Sequence, residues 1–418
     1  MVDRSSLARR FHEMFRESAN FGRKGKGVSR VACSPEDGHV RDWFVQWLDA
    51  NGFRVIVDPI GNIFGMLDFA GSAAAVVLTG SHLDSQPNGG RFDGAYGVIA
   101  AAQSALAIKS KVEAGLLAPR RNLCVVNWTN EEGARFQPSL LGSGVYAGRI
   151  SLTDALSVTD GEGISVRQAL QSIGYAGSGQ APRAEKYVEL HIECGPELEQ
   201  KGKTIGVTEK WWGAIKIQIT VRGEQAHTGP TPMWRRKDAL FGAGLLITGI
   251  RDMADSVNAS DVERLYTSVG RIEVTPNSPN VVPSSATIFA ELRSYESQVL
   301  EQAESRLRVL LEQVERRTGL PVTIDDFSVR EAGKFDPSLA GLAWDVAVAN
   351  GYPALSVATI AGHDAIPLAS VCESVLVVTP SVGGICHHEY EFTKDEDLEA
   401  GLFVLTDMLE KLCGGEGN

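Results

Sequence analysis

Ala73–Gly94 reads AAAVVLTGSHLDSQPNGGRFDG, a short apolar run that ends in a polar, glycine-rich loop. This is how a buried strand and the loop after it look in sequence. The rhythm returns in NLCVVNW into TNEEGARF from Asn122 and in YVELHIE into CGPELE from Tyr187. It comes back near the end in ALSVATIAGHDA from Ala354 and SVLVVTPSVGGICHHE from Ser374. Between the first two runs, Gly97 to Lys109 is a largely apolar helix long enough to cross over a sheet. Strands alternating with helices, with functional loops after the strands, point to an α/β sheet.

Outward from this core, Ser6 to Asn51 reads as helical pieces broken by the Gly/Lys-rich stretch Gly22 to Gly27, and Pro35-Glu36-Asp37 opens a helix toward Leu48. From Trp212 to Arg330 the texture changes. WGAIKIQITVRG alternates with period two, Ala239 to Met253 reads as a helix, SATIFAELRSY is another strand, and Glu296 to Arg317 is a charged amphipathic helix. A last helix runs from about Lys394 to Leu412. The expected organisation is therefore an α/β domain, residues 1–211 with 331–418, interrupted by a small α+β domain at 212–330. Such insertions are tolerated where both linkers emerge close together.

The chain has 418 residues, 43% hydrophobic and 22% charged, and 40 basic against 52 acidic residues leave a net charge of −12. That sign disfavours nucleic acid as a partner. No apolar stretch is long enough to span a membrane, and MVDRSSLARRFHEMF lacks the apolar core of a secretion signal, so a cytoplasmic protein is expected. Cys33, Cys124, Cys194, Cys372, Cys386 and Cys413 show no CxxC spacing and are expected to be thiols rather than a disulfide frame.

The chemistry-bearing residues cluster at the strand ends: His82, Asp84, Asp93, Glu131, Glu132, His191, Glu193, His363, His387 and His388. Loops after parallel strands converge at one sheet edge, so these distant residues can surround one cleft. Imidazoles mixed with carboxylates suit zinc, manganese, cobalt or nickel, and two ions roughly 3.5–4 Å apart need a bridging carboxylate. Asp93 is the candidate bridge. If Glu132 turns toward a metal, its neighbour Glu131 is left to take a proton from water and hand it to a leaving nitrogen. His227, in the second region, is a candidate electrophile for a developing oxygen charge.

Taken together, TGSHLDSQPNGGRFDG, TNEEGARF, HIECGPELE, GEQAHTGPTPMWRRKDA, AGHDA and GGICHHEYE resemble the hydantoinase/carbamoylase branch of the M20 metallopeptidase-like family. The resemblance implies a metallopeptidase-like α/β catalytic domain with an inserted α+β lid and dimerisation domain. It implies two divalent ions per subunit, zinc first, with manganese, cobalt or nickel as alternatives. His82, Asp93 and His191 would form one part of the site, and Glu132 and His387 would complete the other around the shared Asp93. Glu131 matches the catalytic acid/base, and His227, Asn280 in SPNVVPS and Arg293 in AELRS match substrate-binding positions.

The reaction implied is hydrolysis of the carbamoyl C–N bond of an N-carbamoyl α- or β-amino acid, to amino acid, ammonia and carbon dioxide. Allantoate hydrolysis, N-acyl amino acid hydrolysis or peptidase activity, and a noncatalytic metal-stabilised binding protein are the alternatives. The partners implied are a small carboxylate-bearing ureido or amide substrate and a second copy of the chain. Whether His227 acts in its own chain or across that dimer stays open. Two positions depart from the family pattern: HIEQGP is HIECGP here, and GxSH is GICH. Cys194 cannot replace the amide's donor and acceptor pattern. It is expected to line the substrate site as a small, packed residue, a thiolate ligand being the alternative.

Overall fold

The computed structural model describes residues 3–258 and 264–414. They divide into two compact units, Met1–Glu209 with Phe335–Asn418, and Lys210–Lys334. In the first unit, four parallel strands form the middle of a sheet in the order Glu373–Thr379, Ala184–Ile192, Val76–His82 and Asn122–Trp128. Antiparallel strands extend it on both sides: Ile63–Leu67 and Arg54–Val57 beyond Asn122–Trp128, and Ile205–Trp211 beyond Glu373–Thr379. Ala354–Thr359 pairs with Ile205–Trp211.

Val76–His82 and Asn122–Trp128 are buried at every residue. Continuous burial is what a parallel strand shows when helices cover both faces. On the sheet, Ala95–Glu113 packs with Arg4–Ser18 and Asp395–Gly414. The helix Pro35–Ala50 starts where the sequence predicts, with Pro35 at the first turn and the Ser34 side chain accepting the Asp37 N–H. Its buried Arg41 pairs with Asp37 at 2.8 Å and donates to Gly61 O and Thr129 Oγ1, which ties this helix to the start of the Asn130-Glu131-Glu132 loop. The glycine-rich stretch near residue 25 is a small hairpin, Arg23–Lys24 against Gly27–Val28.

The second unit is an antiparallel sheet ordered Tyr266–Thr275, Ser285–Ser294, Gly213–Arg222 and Val322–Arg330. Ser285–Ser294 alternates strictly between buried and half-buried residues, and the helices Ala239–Val257 and Ser297–Thr318 cover its apolar side. Asp238 caps the first helix by accepting from Leu240 N and Phe241 N, and Gly319, with φ +69°, ends the second. Where the chain enters and leaves this unit the two segments pair with each other, Lys210 with Lys334 and Trp211 with Gly333. No helix among the described residues is long and apolar enough to cross a membrane.

One close approach fixes where the sheet edge lies. A Cβ on Gly97, inside the helix Ala95–Glu113, would overlap the Leu190 carbonyl oxygen one residue before His191. An alanine in a helix interior ordinarily gains about 1 kcal/mol over glycine. Here the sign reverses. We expect Gly97→Ala to cost about 1–3 kcal/mol through overpacking, read as a lower urea midpoint at unchanged m-value.

Candidate metal centre

The four central parallel strands end side by side, and each delivers part of the site. Val76–His82 ends on His82 itself, Ala184–Ile192 carries His191, Asn122–Trp128 leads to Glu131 and Glu132, and Glu373–Thr379 leads to Cys386 and His387. Asp93 sits just before the helix Ala95–Glu113, next to Gly94, whose φ is +64°. Gly94 cannot be larger, because a Cβ there would overlap the His82 ring.

Asp93 is the centre of the arrangement. Its Oδ1 lies 3.3 Å from His82 Nε2 and 3.1 Å from His191 Nε2, and its Oδ2 lies 3.4 Å from His387 Nε2. His387 Nε2 is in turn 3.1 Å from Glu132 Oε2. The carboxylate thus divides the donors into two sets, His82 with His191 and His387 with Glu132, while Glu131 Oε2 stands 3.4 Å from His82 Nε2. The structure brings together all five residues expected as ligands, and the expected acid/base with them.

Two observations fit this donor set to a metal. His82 Nδ1 is 3.0 Å from Asp84 O and His191 Nδ1 is 2.9 Å from Ile192 O; a carbonyl only accepts, so each Nδ1 carries a proton. That orientation makes each Nε2 the accepting, lone-pair side of its ring. His191 Nε2 accepts Gly94 N–H at 3.1 Å, and His82 Nε2 is buried without a hydrogen-bond partner. Nitrogen and oxygen donors in this number suit zinc and its neighbours.

The electrostatics favour positive charge at the same spot. Burial works against a charged His82, but Glu131, Asp93 and Asp84 more than offset it and hold its pKa well above the ordinary histidine value. Burial would raise the Asp93 carboxyl, yet His191, His387 and His82 hold it well below the usual range. Glu131 goes the other way. Burial pushes it well up, His82 opposes, and Asp364, Glu132 and Asp93 add to the rise. Asp93 and Glu131 are therefore driven in opposite directions, which separates a charge holder from a proton carrier.

Several candidates have other work. Asp84 accepts the backbone N–H groups of Glu131 and Glu132, each at 3.3 Å, as well as receiving His82 Nδ1–H on its carbonyl. Glu193 caps the short helix Glu197–Gln200 through Glu197 N and Leu198 N. His363 is buried against His191, ring centres 4.6 Å apart, and groups with Glu189. His388 is exposed and accepts Tyr390 N–H. One organiser was missed in the sequence: Glu391 Oε1 accepts Phe92 N and Asp93 N, and its Oε2 accepts His387 N. Burial, and Asp93 beside it, push its pKa up to about 7, and the two N–H donors oppose the rise. The only hint was its place in GGICHHEYE.

The expectation that all six cysteines are thiols is corrected. Cys194 and Cys386 are bonded to each other, with Cα atoms 5.0 Å apart and a sequence separation of 192. Such a separation leaves no spacing signal to read. Cys33, Cys124, Cys372 and Cys413 are free.

Within the inserted unit, His227 and Asn280 are neighbours: His227 pairs with Val281, and Thr228 N donates to Asn280 O. Both are exposed. Arg293 is near the other end of the strand Ser285–Ser294, where it donates to Glu291. Eight residues of strand beyond Ser285 put it about 27 Å along, so one copy of this unit does not bring Arg293 to His227 and Asn280.

The model of the peptidase family M20/M25/M40 matches residues 78–411. A hydrolase of Mycolicibacterium smegmatis is 44% identical over 93% of this chain and 89% of its own. An N-carbamoyl-L-amino-acid amidohydrolase of Rhizobium meliloti is 34% identical over 91% of this chain and 90% of its own. Among solved structures, an amidase of the hydantoinase/carbamoylase family from Burkholderia vietnamiensis superposes with a TM-score of 0.93 at 35% identity, covering 98% of each chain. The strand-end donors and the interrupted α/β fold therefore have a name: the chain belongs to the M20/M25/M40 peptidase family, in its hydantoinase/carbamoylase branch, and is a hydrolase of that type.

Proposed function

We propose that this hydrolase cleaves the carbamoyl C–N bond of N-carbamoyl amino acids. The observation that carries the reading is the split of Asp93 between His82 with His191 and His387 with Glu132, beside a Glu131 driven toward holding a proton. His82, Asp93 and His191 would hold one divalent ion, and Asp93, Glu132 and His387 the other, zinc being the first choice. Bound there, the ions supply Lewis acidity to the ureido carbonyl and raise the acidity of the attacking water. Glu131 takes the proton of that water and delivers it to the nitrogen that leaves as the free amino acid. The carbamate formed decomposes to ammonia and carbon dioxide.

The substrate carboxylate needs a planar donor fork, which Arg293 offers. His227 donates to the carbonyl oxygen as charge builds there, and Asn280 adds an amide to the same end. Because Arg293 lies near the far end of the strand Ser285–Ser294 while the His227–Asn280 pair lies just before its start, a small substrate meets all three only if two protomers contribute. A homodimer with shared active sites follows as part of the reading.

Asp84 sets where the catalytic pair points, since its carboxylate holds both amides of Glu131-Glu132. It is a positioning residue. Asp84→Ala is expected to weaken metal retention about 10–100-fold, measured by competition with a chelator of known affinity. Glu131→Gln should keep both ions and lose about 10²–10⁴-fold in turnover, whereas Asp93→Asn should lose both ions, read by metal analysis.

The substrate test is ammonia release after chelation and separate restoration with zinc, manganese, cobalt or nickel. The panel is N-carbamoyl-α-amino acids, N-carbamoyl-β-alanine, allantoate and N-acetyl amino acids, with free amino acid measured for the last. Metal-restored turnover of a carbamoyl amino acid is expected. Turnover of allantoate or an acetyl compound alone would replace the substrate assignment, and silence on all of them would overturn it.

A further inference from the structure

Cys194 and Cys386 are the two places where this sequence leaves the patterns HIEQGP and GxSH, and the fold brings those two places into one contact. A separation of 5.0 Å between Cα atoms lies inside the range that a disulfide needs. The sulfur of Cys386 has a second neighbour. It lies 3.0 Å from Asp93 Oδ2, the oxygen that faces His387 Nε2, and Cys194 Sγ lies 3.6 Å from the same oxygen.

Asp93, Cys386 and His387 each offer one donor atom, all within 4.8 Å of one another. A disulfide sulfur has no proton to give Asp93 and is a poor ligand, whereas a cysteine thiol gives up its proton to a divalent ion and binds it well. There is also room on this side of the site, for the His387 side chain is 53% exposed while that of Glu132 is 4% exposed. The same sulfur therefore has two chemistries. Bonded to Cys194, it staples the turn after His191 to the loop carrying His387. Released, it joins the donors around Asp93 Oδ2.

We propose that Cys386 is a redox-gated sulfur ligand of the metal position formed by Asp93, Glu132 and His387, with Cys194 as the partner that withdraws it. The proposal rests on the metal-centre reading above. Oxidation by a small disulfide R–S–S–R forms the Cys194–Cys386 bond and releases two R–SH. Reduction by a dithiol or phosphine returns two thiols, and an ion that then binds Cys386 displaces one proton. In the reduced protein the added sulfur occupies a coordination position at that ion, so the ion is held more tightly and is less open to water. The oxidised protein leaves that position free.

The test uses the full chain, stripped and reloaded with cobalt(II), before and after phosphine reduction and desalting without oxygen. The denatured thiol count should rise from four to six, from the free cysteines to all of them. A sulfur-to-cobalt charge-transfer band in the near ultraviolet should be present in the reduced form and absent in the oxidised one. Cys386→Ser should lack the band in both states, and Cys194→Ser, which has no intramolecular partner for Cys386, should show it without prior reduction. Six thiols with bound cobalt and no band would overturn the sulfur ligand, and a band that survives in Cys386→Ser would assign it elsewhere and do the same. A thiol count that oxidant and reductant leave unchanged would overturn the gate. Failure of cobalt to bind in either state would instead remove the metal-centre reading underneath.

Discussion

The site depends on one buried carboxylate whose two oxygens face different ways. Asp93 is enclosed by imidazoles from three separate chain segments, and burying its charge without them would be prohibitive. Much of the surrounding structure serves to hold that geometry. Glu391 fixes the backbone on both sides of the division by receiving Asp93 N and His387 N, Gly94 leaves space for the His82 ring, and Asp84 sets the adjacent acids. Opposed charges at this density repay their desolvation only when nearly every lone pair and proton is used. That explains why Asp84, Glu193 and Glu391, outside the donor set, are each occupied with backbone amides.

The fold was largely legible because its signals are local. A continuous apolar run such as AVVLTG can only be covered on both sides, and Pro35 after Ser34 and Asp238 before Ala239 mark helix starts through hydrogen bonds made within a turn. The central helices run one to four residues past the spans expected, as in Ala95–Glu113, since fraying ends are decided by packing rather than by pattern. The candidate donors were legible for a related reason: strand ends in a parallel sheet converge whatever lies between them in sequence.

What could not be read were contacts with no fixed offset. Glu391 acts on a backbone amide nearly 300 positions away, and Cys194 meets Cys386 across 192. Asp84 and Glu193 look like ligands by residue type and position, and only their hydrogen bonds show that each holds backbone instead. The separation between Arg293 and the His227–Asn280 pair is likewise a matter of strand direction, which motif order does not encode.

The pairing of Lys210 with Lys334 and Trp211 with Gly333 makes the insertion's two connections a short antiparallel ladder. A ladder of this kind needs only a tight turn to be complete, so the parent sheet reaches closure at this point without any of the 121 residues between Trp211 and Gly333. The insertion is thus a cassette on a hairpin stem. Selection can lengthen, exchange or reshape it while the strand ends that carry the donors keep their register.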